Sequence, residues 1–167
     1  DAPATGHGLT MLDSPISMMK MTIAGPFYQA AKLVHDTFYD KSISSIVLAS
    51  LSDELVVNET LELYEKLGQY KEHVAGVILN ESPEKPFAPL SIWESARAGV
   101  NLEECDRPMT DLIFAADQAV DKFKAKECAK IRIEETIPAP CSELPLLNSR
   151  DLTPKELKTL SSHLEGV

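Results

Sequence analysis

The sequence predicts a mixed α/β fold with parallel strands, and two observations carry that prediction. Residues 44–50 (SSIVLAS) and 74–80 (VAGVILN) are short, β-rich runs without polar alternation, as expected of strands covered on both faces. Between them, Val57, Leu61 and Tyr64 recur at the spacing of one helix face. Strand, helix and strand together form a βαβ unit, whose crossover we expect to be right-handed.

Two helices are predicted before the first strand. Ser14 and Pro15 offer an N-cap followed by proline at the first helical position, and Gly25 and Pro26 interrupt the helical pattern. Beyond that break, four apolar residues lie on one face of a second helix: Phe27, Ala31, Val34 and Phe38.

The βαβ helix is expected to stop at Gly68. Residues 81–108 are rich in turn-forming residues and predict an excursion with one short helix, capped by Ser91 and Glu94. A longer helix should follow, with a stripe formed by Leu112, Ala116, Ala119 and Phe123.

The longer helix is predicted to lead into a third strand at residues 131–137 (IRIEETI). Residues 138–147 then form a proline-punctuated loop, and Thr153, Pro154 and Glu156 open a final amphipathic helix. Doubly wound sheets commonly have five or more strands. Three strands and about six helices therefore predict an incomplete sheet.

The composition bounds the class of protein. The chain has 167 residues, is 44% hydrophobic and 25% charged, and should form one domain with a real core. Its formal net charge of −10 argues against general nucleic-acid binding, which needs Lys and Arg to neutralise phosphates. No signal peptide or membrane-spanning run is visible, so we expect a cytoplasmic protein.

The cysteines and histidines predict no metal site. Cys105, Cys128 and Cys141 form an odd set without a CxxC pair, which argues against a disulfide framework or a zinc knuckle. Buried or incidental thiols are the expectation. No metal set can be assembled from the histidines by spacing.

The first nine residues, DAPATGHGL, have the chemistry of a phosphate-sensing switch. A carboxylate at a strand end, here Asp1, suits a hydrated Mg²⁺ that shares its ligands with substrate phosphates. Gly6 allows the backbone to approach a phosphate, and His7 and Gly8 lead into a helix that could relay a change at that phosphate. On spacing alone, the same residues also suit an ordinary turn.

Three stretches resemble the arsenite-pump and guided-entry ATPases. DAPATGHGL resembles the family's switch II signature, commonly written DTAPTGHTLR. Residues 48–67 (LASLSDELVVNETLELYEKL) resemble its TLPEELPVRETLELVEEL segment, and VAGVILNES resembles VGGVVVNRV. The order and spacing agree, and the likeness is strong to about Asn80 and weaker to about Leu147. Thr10 and Ser52 depart from the family's Arg and Pro, and the cysteines used by the family have no counterparts.

This resemblance implies a Mg-dependent P-loop ATPase with a doubly wound parallel sheet. Asp1 would hold the Mg²⁺-bound water, and Gly6 and His7 would sense the γ-phosphate of ATP. Asn80 matches an asparagine whose amide can read the edge of adenine. The adenine-side loop would be formed by Pro138, Ala139 and Pro140, while Asp53 and Glu54 match an acidic pair interpreted as loop structure or dimer contact.

No G-x-x-x-x-G-K-[ST] phosphate loop occurs in the 167 residues. We therefore expect the chain to be the C-terminal portion of one P-loop ATPase domain, lacking its N-terminal P-loop half and inactive alone. Its predicted segments are 1–12 (switch II), 13–43 (helical), 44–80 (βαβ), 81–130 (helical excursion) and 131–167 (last strand, adenine-side loop and final helix).

The expected partners are the P-loop half, a second copy in a homodimer, and a membrane protein or hydrophobic client. Met11, Met18, Met19 and Met21 lie within eleven residues, and their helical spacing favours packing into the core. The alternative is a flexible groove for an apolar client. A second hypothesis for the whole chain is a non-catalytic module that binds a protein partner through this Met-rich segment.

Overall fold

The computed structural model describes residues 6–86, 89–147 and 152–164. The predicted mixed α/β fold with parallel strands is confirmed. Its elements are α1 (Gly6–Met21), α2 (Pro26–Tyr39), β1 (Ile46–Ser50), α3 (Glu54–Lys66), β2 (Val74–Ser82), α4 (Leu90–Ala98), α5 (Arg107–Thr136), β3 (Cys141–Pro145) and α6 (Pro154–Ser162). Short 3₁₀ turns lie at Gly68–His73 and Leu102–Glu104. No helix in these described ranges is long and apolar enough to cross a membrane.

The three strands form one parallel sheet in the order β1-β2-β3, so β2 is central. Leu48 of β1 pairs with Val77 of β2, and Val77 in turn pairs with Cys141 of β3. Because all three strands point the same way, their carboxyl ends meet at one edge of the sheet. Loops at that edge bind ligands in open α/β sheets.

The core lies between the sheet and helices α3 and α5, which pack against each other and against the strands. Val77, Leu79 and Ile133 are fully buried there. Aliphatic side chains dominate the rest of this core, and two tyrosines complete it: Leu48, Val57, Tyr64, Leu67, Tyr70, Ala129 and Ile137. We call residues 46–145 the body.

The third strand does not lie where the sequence predicts it. Residues 131–136 form the end of α5 and Ile137 is its C-cap, and the strand is β3, within the predicted loop. Residues 131–134 (IRIE) alternate between apolar and charged side chains, as in a strand. However, Ala129, Ile133 and Ile137 are buried at spacings of four, which is the period of a helix. No glycine or proline interrupts the helix before Pro138, so nothing stops it earlier.

The predicted stripe of α5 is correct for Ala116 and Phe123, which are half-buried, and wrong for the other two residues. Leu112 is exposed, as is Ala119, whereas Ile113 and Val120 are buried. The neighbouring capping prediction for α4 fails too, because α4 begins after Pro89 without a side-chain cap. By contrast, the predicted Thr153–Glu156 capping box of α6 is confirmed.

The first helix starts at Gly6, and the predicted start at Ser14 and Pro15 is wrong. Pro15 lies inside α1, where it removes the amide that would donate to the carbonyl of Met11. The Ser14 hydroxyl donates to that carbonyl instead, at 2.9 Å. This replacement bond explains how the helix continues through the proline.

Helices α1 and α2 pack against each other as a hairpin, which we define as residues 6–39. Gly25 links them with a φ of 109°, a conformation that favours glycine, so the predicted break lies here and α2 begins at Pro26 itself. On the hairpin, Leu9 and Leu12 pack against the core of the body. Much of the remaining apolar surface is exposed, including Met21 at 84% and Ile23 at 94%.

Candidate functional site

Asn80 lies near the carboxyl end of the central strand. The pairing of β2 with β3 shifts between Leu79 and Ser82, and Glu81 adopts a φ of 52°, the left-handed region. Such bulges redirect side chains at sheet edges. Asn80 is exposed, and its side-chain amide makes no hydrogen bond to another described residue. Its donor and acceptor are therefore available to a ligand.

The segment after β1 is held by its own hydrogen bonds. The hydroxyl of Ser50 is buried and lies 2.9 Å from the hydroxyl of Thr60 on α3. The carboxylate of Asp53 accepts a 2.9 Å bond from the amide of Leu55 and caps α3. Asp53 thus has a structural role, consistent with its interpretation as loop structure. The Ser52 hydroxyl is buried and has no partner among the described atoms.

The switch-like residues Gly6 and His7 form the first turn of α1. His7 is exposed and makes no side-chain hydrogen bond within the described ranges. The first amides of a helix lack intrahelical partners and attract anions, so this position suits a phosphate-facing segment. Asp1, the predicted magnesium ligand, lies outside the described residues.

The structure does not place the predicted adenine-side loop beside Asn80. Pro138, Ala139 and Pro140 enter β3 instead of following a strand, and the carbonyl of Pro140 accepts a 2.8 Å bond from the amide of Val77. These three residues therefore lie at the amino end of β3, whereas Asn80 lies toward the carboxyl end of β2. The adenine-side loop was expected beside Asn80 because the third strand was predicted ten residues before the start of β3.

At the carboxyl edge, the chain after β3 takes the place expected of that loop. The amide of Leu146 donates to the carbonyl of Ser82 at 2.9 Å, which holds this segment next to the end of β2. Sequence reasoning missed this neighbour of Asn80. The signal available was the run of apolar residues 144–147, which extends beyond the prolines that suggested a loop.

A partly buried ion-pair cluster fixes β3 to α5. Glu143 of β3 lies 2.9 Å from the ammonium of Lys126 and 2.8 Å from that of Lys130. Burial by itself raises the pKa of the Glu143 carboxyl, but the hydrogen bonds from Lys130 and Lys126 outweigh burial and hold that pKa below its ordinary value. Lys126 also pairs with Glu127 at 2.7 Å. Because all of these charges are paired, the cluster serves structure.

A cleft of about 1150 Å³ runs along the side of β1 that no other described strand covers. Its floor is formed by residues 43–49 and its walls by α1 and α3. Apolar side chains dominate the lining, among them Leu9, Leu12, Val56 and Leu63. No local pattern in the sequence indicates this cleft, since it forms between elements that are distant along the chain.

No candidate metal centre is found in the described part of the chain. No group of three or more His, Cys, Asp and Glu side chains is placed to hold a metal ion there. Cys105, Cys128 and Cys141 are free thiols. Burial raises the pKa of the Cys141 thiol, which disfavours the reactive thiolate.

Comparison of the chain with protein-family models finds no match. A search among curated proteins finds no significant match either.

Proposed function

We propose that the chain is part of a Mg-dependent ATPase similar to the arsenite-pump and guided-entry family, and that it couples ATP hydrolysis to an apolar protein partner. The observation that carries this proposal is the hairpin. Its first helix begins within the switch-like segment at Gly6, and the same hairpin presents an exposed apolar surface.

The surface of the hairpin suits an apolar partner. Met18 and Met21 are exposed on α1, and Ile23, Phe27 and Leu33 extend the exposed surface through the turn onto α2. The prediction that the methionines pack into the core is thus wrong for Met11, Met18 and Met21. Large exposed apolar patches mark interaction sites, and flexible methionine side chains adapt to different partners.

The low charge of α1 also suits an apolar partner. This helix of 16 residues carries one acidic and one basic side chain, Asp13 and Lys20. The chain as a whole has a net charge of −10, so the acidic surface belongs largely to the body. A nearly neutral, Met-rich helix favours association with apolar segments over association with charged ones.

The continuity of α1 would couple ATP hydrolysis to the partner-binding surface. A contact between the γ-phosphate and the first turn of α1 would act on the same rigid element that carries Met18 and Met21. Ser14 preserves this rigidity, because its bond to Met11 carries the helix through Pro15. A change at the phosphate would therefore move the apolar surface.

The nucleotide would meet two parts of this chain. Gly6 and His7 would face the γ-phosphate at the start of α1, and the free amide of Asn80 would pair with the edge of adenine. Asp1 would hold a water of the Mg²⁺ ion, which when bound neutralises charge on the transferring phosphoryl group. Pro138, Ala139 and Pro140 have no part in this arrangement, because they lie at the other end of the sheet.

The ATPase arm is tested in a polypeptide that joins a phosphate-loop half to this chain. Asp1→Asn should abolish turnover while the Kd for Mg-ATP changes little, because the carboxylate acts as charge develops in the transition state. Asp13→Asn, an exposed change on α1, is the matched control and should leave turnover intact. An unchanged rate of ATP hydrolysis in Asp1→Asn would show that Asp1 does not act at the magnesium ion.

A non-catalytic binding module is the second candidate, and the exposed apolar surface of the hairpin supports it as well. It would use the same hairpin without any nucleotide. One experiment distinguishes the two candidates. If the chain is part of an ATPase, an apolar peptide should change the ATPase rate of the joined polypeptide. If it is a binding module, the peptide should bind without any ATP turnover. The homodimer and the cytoplasmic location stay predictions from the resemblance and the sequence.

A further inference from the structure

The pairing of the central strand β2 with β3 contains one extra residue near the carboxyl end. Between two paired positions, Leu79 and Ser82, strand β2 has two residues, Asn80 and Glu81, whereas β3 has one. This arrangement is a β-bulge, a feature that redirects side chains and is over-represented next to active sites. Both strands of the pair lie within the described body, so the bulge does not depend on what covers the outer strands.

The alternation of buried side chains shifts by one residue at the bulge. Val77 and Leu79 are fully buried, and a regular strand would turn residue 81 to the same side. Instead, Glu81 is exposed and Ser82 is buried, with 3% of its surface accessible. The bulge therefore keeps the charged side chain outside and gives Ser82 the inward position.

Glu81 holds an unfavourable backbone conformation inside the bulge. Its φ of 52° lies in the left-handed region, and it is the one residue other than glycine with a positive φ in the part of the chain that the structure describes. A residue with a side chain stays in this region only when its surroundings hold it there, and such residues cluster at ligand-binding sites. Here the neighbour is Asn80, the predicted adenine contact.

Ser82 supplies the contacts that hold the bulge. Its buried hydroxyl donates to the carbonyl of Leu79 at 3.1 Å, across the two inserted residues. Its own carbonyl accepts a 2.9 Å bond from the amide of Leu146, in the segment after β3. Ser82 is thus bonded both to the strand before the bulge and to the chain beyond β3.

We propose that Ser82 and the left-handed Glu81 are positioning residues, which orient the amide of Asn80 toward the edge of adenine and so set the selectivity for ATP over GTP. This inference rests on the proposed function. Adenine presents an amino donor where guanine presents a carbonyl acceptor, and the amide carries one acceptor and one donor group side by side. Selectivity therefore depends on how the amide is oriented as well as on its presence.

Two substitutions at Glu81 test the backbone conformation. Glu81→Gly and Glu81→Val both remove the carboxylate, but glycine adopts the left-handed region freely and a β-branched residue does not. The Kd values of Mg-ATP and Mg-GTP are measured by displacement of mant-ATP from the polypeptide that joins a phosphate-loop half to this chain. The ratio of the two Kd values should persist in Glu81→Gly and fall about tenfold in Glu81→Val, as expected for one misdirected hydrogen-bonding group.

A second set of variants tests the hydroxyl of Ser82. Ser82→Ala should lower the same ratio about tenfold, and Ser82→Thr, which keeps a hydroxyl, should restore it. Ser50→Ala is the matched control, because Ser50 is also 3% exposed and its hydroxyl lies 2.9 Å from that of Thr60. This control should lower the free energy of unfolding without changing the ratio.

The results distinguish this inference from the proposed function. If the unaltered polypeptide binds ATP no more tightly than GTP, the proposed contact of Asn80 with adenine is wrong. If it prefers ATP but Glu81→Val matches Glu81→Gly, or Ser82→Ala matches Ser50→Ala, the positioning role is overturned. Because the two sets change different residues, a variant that fails to fold in one set leaves the other to decide.

Discussion

The body and the hairpin are built from similar apolar residues but use them in opposite ways. In the body, Val77, Leu79 and Ile133 are fully buried between the sheet and two helices. In the hairpin, α2 has one buried residue, Ala31, while Phe27 is 71% exposed. The comparison teaches that hydrophobic burial stabilises the body, whereas much of the hairpin's apolar surface contributes little to folding and remains available for binding.

The largest expected effect comes from a matched pair of leucines. Leu79→Ala should lower the free energy of unfolding by about 2–5 kcal/mol, because it opens a cavity in the core. Leu33→Ala makes the same chemical change at a 69% exposed site of the hairpin and should cost under about 0.5 kcal/mol. Urea denaturation measures both. Similar losses would show that the hairpin is as tightly packed as the body.

A smaller effect is expected at the ion-pair cluster of the body. The folded pKa of Glu143 is held below its ordinary value of 4.5, so its charge stabilises the fold above that pH and the stabilisation is lost as the pH falls. Glu143→Gln should therefore cost about 1–3 kcal/mol at pH 7 and progressively less below pH 4.5. Glu135→Gln, at an exposed position of α5, is the control. A cost that stays constant from pH 7 to pH 3 would contradict this role.

A still smaller effect is expected from a substitution at Tyr39, where the hairpin contacts the body. The Tyr39 ring lies 5.7 Å from the ring of His73 and 6.1 Å from that of Tyr70, and its carbonyl lies 3.1 Å from Nε2 of His73. Tyr39→Ala should speed amide exchange in α2 by roughly 3- to 10-fold, since each aromatic pair contributes about 0.5–1.5 kcal/mol. Exchange in β2 should not change. Phe27→Ala on the same helix is the control. An equal increase in amide exchange in that variant would show that the contacts of the Tyr39 ring do not hold the hairpin on the body.

The sequence predicted the βαβ unit well, because local signals agree there. The strand runs lack polar alternation, Val57 and Tyr64 mark one helix face, and α3 ends just before Gly68, whose φ is 55°. The end of α5 and the position of β3 were predicted wrongly for a local reason. Residues 131–134 alternate like a strand, while Pro140 and Pro145 make the true edge strand look like a loop.

The site was harder to predict than the fold. Asn80 lies near a strand end as expected, but the shift in pairing with β3 beside it was not predicted. The cluster of Lys126 and Glu143 and the cleft beside Glu59 join residues from separate elements, which no local pattern reports. The exposure of Met21 likewise depends on what packs against α1, and helical spacing alone suggested burial.

The claim that the hairpin is a binding surface is tested most directly by an apolar peptide. A fluorescein-labelled 20-residue helix of Leu and Ala with terminal lysines is titrated into the 167-residue chain and into two double variants. The first, Ile23→Asp with Phe27→Asp, places two charges at the exposed tip of the hairpin. The second, Leu112→Asp with Leu157→Asp, places the same charges at exposed leucines of α5 and α6. The account predicts that the first variant loses at least tenfold in affinity while the second binds like the unaltered chain, and equal affinities of the two variants would contradict it.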